Sequence, residues 1–521
     1  MHHLGVATTR GLSLTVSGTE TVQRPWYSES SVEELVSSAE SADNDGGAWT
    51  LAKAMAMTVD HPALAHVPAA RRAATLEAFR EQLRQQAREP DLMRTEAAAI
   101  AVRVAPSFLR VGHFDLLARR LARDRTAASR EELERLVAHA LAREFGAEVE
   151  AAGGIAHMST DARVALLLRA AGERIAALMA DWLRVGFNQG NFNSDNCLVG
   201  GRTMDMGPFG FVERYSPDYV MWVGGGEHFA FMNQPQAALR NLGTLAAAVA
   251  PLVDSSPAGK AEVRAIVAQW PAVMDAAVQR MWARKLGFEV DNDGQSDHAA
   301  NAAAKAAARS LYRELVTDLM VRDTVDYTIT WRQLACLPDH VAAWMEAELD
   351  ANAGAASAAG APGADASSPE FYADSLAAAA VAAALARRTD AALVAPLMDS
   401  FYEVTDCQPL SASAEAQWAA FVRRWLPAIV GAATTGSPVG AADSSTAQVA
   451  IAALRARSVA MRARAPKFVP REWMLNRAYL AAEKGDMAPM HTIIELFQHV
   501  RVASCCLWHG PTVCSLFCES Y

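Results

Sequence analysis

The sequence predicts a mainly α-helical protein with a small β component, an α+β chain in which helices dominate. Two observations carry that reading. Residues 159–183 place Val164, Leu168, Ala171, Ile175, Leu178 and Trp182 at alternating steps of four and three, which puts all six on one helix face. Residues 239–348 are helix-forming almost throughout, with one polar break at residues 292–297. A third observation limits the sheet: the clearest strand signal, LSLTV at residues 12–16, is short.

From the N-terminus, MHHLG reads as helical and leads to LSLTV through a Thr-Thr-Arg turn. Arg24 opens a polar stretch to about Gly47, rich in Ser, Glu and Asp, which reads as loop. Residues 48–89 are helix-prone, residues 69–88 most of all. Arg103 and Arg110 stand seven apart in RVAPSFLRVGHF, a spacing that fits either end of a short turn-plus-helix element. His113 in the same stretch reads as a packed or capping histidine rather than a base. Residues 127–145 form an amphipathic helix, and 159–183 the longer one, whose stripe is core. Gly224-Gly225-Gly226 is a turn, because no helix start with Lys-Ser/Thr follows to make it a phosphate loop. Residues 351–368 and 431–446 are Ala/Gly/Ser-rich, of linker or expanded-loop composition.

Composition sets wider limits. The 521 residues suffice for two or more domains, or one large domain with insertions. With 51% hydrophobic and 20% charged residues the chain has ample material for a core. A net charge of −10 gives no support for a general nucleic-acid or membrane-surface role. No apolar run is long enough for a transmembrane helix, and the N-terminus lacks a secretory layout. Four of the seven cysteines (Cys505, Cys506, Cys514 and Cys518) lie in the tail, so no disulfide framework is expected for the main body, which fits a reducing compartment. No CxxC occurs there, and a zinc site from these cysteines and His509 has no spacing to support it.

The chemistry-bearing stretch is 186–211, GFNQGNFNSDNCLVGGRTMDMGPFGF. Asp195 and Asn196 are adjacent, and Asp205 follows Asn196 by nine positions. A loop, a small hairpin and a second loop would bring Asn196 and Asp205 to one mouth. An amide oxygen and a carboxylate suit Mg²⁺ carrying phosphates, and Asp195 beside them could accept a proton from an attacking hydroxyl. Spacing alone also fits ordinary turn residues, since Asn, Asp, Ser and Gly collect in loops.

The pattern resembles a protein-kinase catalytic loop, with Gln189 at the His position, Asn196 seven later, and Asp205-Met206-Gly207 where Asp-Phe-Gly would stand. The position of the kinase base is Asn191, which cannot take a proton. QGNFNSDN and DMGPFGF are similar to the HGVMNTDN and DYGPFGF of the SelO (selenoprotein O, YdiU) family. RVAPSFLRVGHF is similar to its RVAPSHIRFGHFE, with further similarity at residues 229–242, 280–287, 326–328 and 466–486. The resemblance covers roughly residues 1–25 and 97–498, interrupted by insertions.

It implies a kinase-like C-lobe with only a remnant of the N-lobe and a helical C-terminal part. On that division 1–25 is the N-lobe remnant, 26–96 an insertion and 97–350 the catalytic C-lobe. Residues 351–368 are a linker, 369–498 the helical C-terminal part and 499–521 a divergent Cys-rich tail. The family's glycine-rich loop, nucleotide-binding Lys and Glu-bearing helix have no counterpart in these 521 residues, so the chain is expected to start partway through the N-lobe. The implied activity is Mg²⁺-dependent protein adenylylation, transfer of AMP from ATP to Ser, Thr or Tyr hydroxyls of protein substrates, with no nucleic-acid or membrane partner. Asp195 is then the base, Asn196 and Asp205 hold Mg²⁺, and Arg103 and Arg110 join Asp205 in contacting the nucleotide. Arg471, Glu472 and Lys484 are scaffold charges, and the polar residues of 229–241 tie the loop to the helices. The alternative is an inactive pseudoenzyme serving as a helical binding scaffold; transfer of the γ-phosphoryl is disfavoured by Asn191. The compartment is open: mitochondrial for a eukaryotic member, cytoplasmic for a bacterial one.

Overall fold

In the computed structural model, residues 1–26, 92–204, 206–221, 226–290, 298–358, 373–402, 409–431 and 444–498 are described, with Thr58, Val59, Arg72, Ala73 and Leu76. The chain is mainly helical. It divides into two compact units, Arg10–Val104 and Met1–Thr9 with Ala105–Tyr521.

The smaller unit is an antiparallel ribbon of β1 (Arg10–Trp26) and β2 (Leu92–Val104). Leu14 faces Ala101, Thr15 faces Ile100 and Val16 faces Ala99. The register shifts between Gly11 and Ser13 and between Val16 and Thr21. The LSLTV strand is therefore real but longer than its sequence signal, and the loop reading is corrected at Arg24–Trp26, where pairing with residues 92–94 continues β1; residues 27–47 of that reading lie outside the described residues. Of the helix-prone segment 69–88, Arg72, Ala73 and Leu76 are helical; the remainder lies outside the described residues.

In the larger unit Met1–Gly5 forms a turn, not the expected helix. Five residues are too few to repay helix nucleation, and Gly5, at φ +68°, closes the turn with its N–H on His2 O. Leu4 and Val6 are buried beside it.

Next come α1 (Val111–Asp124), α2 (Ala127–Glu144), α3 (Gly146–Ala151) and α4 (Thr160–Val185). Thr126 and Ser159 cap α2 and α4 with their hydroxyls. All six stripe residues of α4 are buried, as their spacing predicts. After the loop follow α5 (Gln234–Val249), α6 (Pro257–Lys285), α7 (His298–Arg313) and α8 (Tyr327–Ala358), which bear out the helical reading of 239–348.

The helices build two adjoining cores. One gathers α1, α2, α4 and α5 around Phe114, Leu141, Leu168 and Leu245. The other gathers α7 and α8 with α9 (Ala373–Ala386), α10 (Asp390–Val394), α11 (Ala412–Gly431) and α12 (Ser444–Arg462) around Trp331, Trp418 and Trp425. The long α6 serves both, with Ile266 and Trp270 in the first and Met281 and Trp282 in the second. It lies close on α4: a Cβ at Gly172 would stand 2.4 Å from the Trp270 indole nitrogen. α13 (Glu472–Glu483) and α14 (Ala488–Gln498) end the described chain. The triple glycine at 224–226, save Gly226, and the Cys-rich tail lie outside it.

Candidate functional site

The loop begins where α4 stops. Gly186 takes φ +78°, the left-handed turn that commonly ends a helix. β3 (Phe187–Gln189) then pairs antiparallel with β4 (Phe209–Phe211), so residues 190–208 are carried on a two-stranded stem. The Gly190 N–H donates to Pro208 O at 2.8 Å and closes the neck.

Buried amides fix this stem to α5. The Gln189 N–H donates to Gln234 Oε1 at 2.9 Å, and Gln234 Nε2 donates to Phe187 O at 2.9 Å. Asn241 Nδ2 reaches Phe192 O at 3.0 Å. Asn188 Nδ2 donates to Phe229 O at 2.8 Å. The polar residues of 229–241 do tie the loop to the helical core, as expected. Below them Trp182 packs edge-on against Phe187 and Phe192 and donates from its indole to Thr203 Oγ1 at 2.9 Å. The Cys197 thiol beside them is fully buried, and burial pushes it up to about 12, so it is no nucleophile.

At the tip, Asn193 Oδ1 accepts from the Asp195 N–H at 3.0 Å, an Asx turn that sets the backbone for Asp195 and Asn196. Asn196 Nδ2 donates to Asn191 O at 2.8 Å. With its nitrogen so engaged, the amide keeps Oδ1 as the atom that could take a cation. Asn191 Oδ1 in turn accepts from Gln189 Nε2 at 2.9 Å.

This tip meets the N-terminus of α1, from 80 residues earlier in the chain. The first N–H groups of a helix lack intrahelical partners, and here loop carbonyls take them: Val111 N–H on Cys197 O and Gly112 N–H on Ser194 O, both at 3.0 Å. The Val199 N–H returns a bond to Leu109 O at 3.0 Å. Arg110 Nη1 donates to Asp195 O at 3.2 Å. The Asp195 carboxylate lies over Gly112, since a Cβ there would stand 2.1 Å from Asp195 Oδ1. A carboxylate lying at a helix N-terminus is favoured by the helix dipole.

His113 is a capping residue, as its context predicts. Its Nδ1 accepts from the Arg110 N–H at 3.1 Å, which requires that nitrogen to be unprotonated. Burial and then the Arg110 charge lower its pKa, while Asp195 opposes them.

The structure thus brings together Arg110, Asp195 and Asn196. Arg103 is placed on β2 opposite Gly11, in the other compact unit. Asp205 lies outside the described residues; its neighbours Met204, Met206 and Gly207 are described. Sequence reasoning missed Gly112 as the seat of the Asp195 carboxylate. The signal was the glycine in Arg110-Val111-Gly112-His113, where a helix start gains nothing from glycine unless something approaches closely.

The profile of the family described as Protein adenylyltransferase SelO matches residues 67–398. The chain belongs to the SelO family. Relatives named Protein nucleotidyltransferase YdiU agree with this. That of Cronobacter sakazakii is 33% identical over 255 residues, which is 48% of this chain and 45% of the relative. That of Xanthomonas campestris pv. campestris is 37% identical over 197 residues, 37% of this chain and 34% of the relative. That of Cytophaga hutchinsonii is 34% identical over 196 residues, with the same two shares. The chain therefore spans less than half the length of these relatives. The SelO family is by these names one of nucleotidyltransferases, and the match covers both the α1 start and the loop.

Proposed function

We propose that this chain is a protein adenylyltransferase built on a kinase-like C-lobe, moving AMP from ATP to a hydroxyl of a protein substrate. The observation that carries the reading is the junction of two motifs distant in sequence. The Asp195-Asn196 tip is bonded through Ser194 O and Cys197 O onto the α1 N-terminus, with Arg110 alongside.

Each residue then has one task. Asp195 takes the proton of the attacking hydroxyl as its oxygen bonds to the α-phosphorus and the bond to the departing pyrophosphate breaks. Its exposure on the tip leaves it open to a macromolecular substrate. Arg110 keeps one arm on Asp195 O and turns the rest of its guanidinium to phosphate oxygens, which a planar fork suits. Arg103 is a second candidate for phosphate contact. Asn196 Oδ1 and Asp205 fit a hard cation, because the Asn196 nitrogen is already engaged. Mg²⁺ bound there would neutralise triphosphate charge and act as a Lewis acid. Asn191, bonded to Gln189, offers no base for γ-phosphoryl transfer.

The reading is tested by thermal shift with Mg²⁺ and ATP, for the chain and for Asn196→Ala. A ligand that binds only the folded state raises Tm. A rise in the parent that is lost in the variant supports it. No rise in either leaves an inactive helical scaffold.

A further inference from the structure

Lys285, the last residue of α6, is 1% exposed. A buried ammonium is costly unless its surroundings replace water. Among the described residues no carboxylate pairs with Lys285, and burial, then the Arg184 charge, lowers its pKa well below the ordinary lysine value; it is held by hydrogen bonds that the amine donates in either protonation form. Nζ donates to Arg184 O at 2.6 Å and to the Tyr327 hydroxyl at 3.2 Å. It also lies over the rings of Trp331 and Tyr327, at 4.3 and 4.5 Å from their centres. Tyr327, also 1% exposed, donates its hydroxyl to Leu183 O at 2.5 Å.

Leu183 O and Arg184 O belong to the last turn of α4, where carbonyls lack helical partners and the helix dipole is negative. Lys285 supplies one for Arg184 O, and Tyr327 adds a short bond on Leu183 O to the long one, at 3.4 Å, from the Gly186 N–H. The same tyrosine holds the other limb of the loop. Its N–H donates to Glu213 O at 2.8 Å, two residues past β4, and the Val212 N–H donates to Gly186 O at 2.8 Å. Gly186 is closed against the ring as well: a Cβ there would stand 2.9 Å from Tyr327 Cδ1. Both limbs of the stem are thus gripped at its base. An apolar residue of Lys285's size could fill the volume without desolvating a charge, but it could not bond Arg184 O.

We propose that Lys285 and Tyr327 are a buried pair of positioning residues that fix the stem of the 187–211 loop and thereby the placement of Asp195 and Asn196. The catalytic half of this proposal rests on the adenylyl-transfer reading; the structural half does not.

The test uses Lys285→Met, Tyr327→Phe and the double variant in the full chain. Tyr327→Phe keeps the ring and serves should Lys285→Met fail to fold. Amide hydrogen exchange without ligand is measured first. Residues 187–198 should exchange at least about tenfold faster in each variant, beyond any change in the core amides of α4. Exchange that rises only in step with α4 means general destabilisation and overturns the proposal. AMP transfer at saturating MgATP is measured second. The value of kcat should fall at least about tenfold in each single variant, since small misplacements of a reacting group are costly. The double variant should be no worse than the poorer single one, because the pair acts as a unit. Multiplying losses, or an unchanged kcat, overturn the catalytic half. A parent chain with no AMP transfer sinks the adenylyl-transfer reading instead, and the exchange data still decide the pair.

Discussion

Replacing Gly112 with Ala isolates the contact between α1 and the loop tip. Gly112 is the second residue of α1, so its backbone accepts alanine, and in a helix interior alanine is favoured over glycine by about 1 kcal/mol. The obstacle is the Asp195 carboxylate, 2.1 Å from the new methyl, with Ser194 O next at 3.5 Å. Because the clash is with the end of a side chain, the backbone need not move. The carboxylate must retreat by roughly 1.4 Å to reach ordinary van der Waals separation. Misplacement of that size in a reacting group costs on the order of 100-fold in rate. The expected result is a Tm at or slightly above the parent, with kcat for AMP transfer lowered about 10- to 100-fold. Thermal melting and transfer of radiolabelled AMP to a protein acceptor measure the two. A variant with unchanged kcat would refute the placement of Asp195 as the base. A variant with a much lower Tm would refute the claim that only a side chain must yield.

Three further outcomes follow from other contacts. Arg471 bonds Asp326 at 2.6 Å and Glu213 at 3.3 Å, and the Asp326 side chain is 3% exposed. Arg471→Met leaves that carboxylate buried without its cation, held by the Tyr402 hydroxyl and the Ile329 N–H, so urea denaturation should show a loss of about 3–5 kcal/mol; a loss below about 1 kcal/mol would mean that Asp326 is rehydrated. His113 has a folded pKa below its ordinary value, from burial first and Arg110 second. Its stabilising cap is therefore complete above about pH 6.5, the unfolded value, and is lost as pH falls through the lowered folded value. His113→Gln should show a smaller drop in urea midpoint between pH 7.5 and 5 than the parent, and an equal drop would contradict the cap. Gln234→Ala removes the bonds to Gln189 N–H and Phe187 O and leaves both backbone groups buried. It should cost about 1–3 kcal/mol in the same assay, and less would mean water replaces the amide.

The helices were legible where a single stripe decides the fold, as in α4, because burial of one face depends only on local spacing. The turn at Met1–Gly5 was not, because its helix propensity is outweighed by the cost of nucleating so short a segment. The β1–β2 ribbon was only half legible: a strand's length is set by its partner, here 66 residues further on at its near end. Within the candidate site, the adjacency of Asp195 and Asn196 on one turn-forming loop was legible from the sequence, and the capping role of His113 from its place at a helix start. The contact of Asp195 with Gly112 and the grip of Lys285 on Arg184 O were not, since each joins segments about 80 to 100 residues apart. Asp326 and Arg471 carry the same lesson, since a scaffold charge is recognisable by type while its partner is not.

The central claim is that this chain transfers AMP through Asp195. Intact-mass analysis of a protein acceptor, after incubation with the chain, Mg²⁺ and ATP, tests it most directly, with Asp195→Asn in parallel. The acceptor should gain about 329 Da, the mass of AMP, and the gain should vanish with Asp195→Asn; an addition of about 80 Da would show γ-phosphoryl transfer instead. That addition, an addition of AMP that survives Asp195→Asn, or no addition at all would contradict the claim.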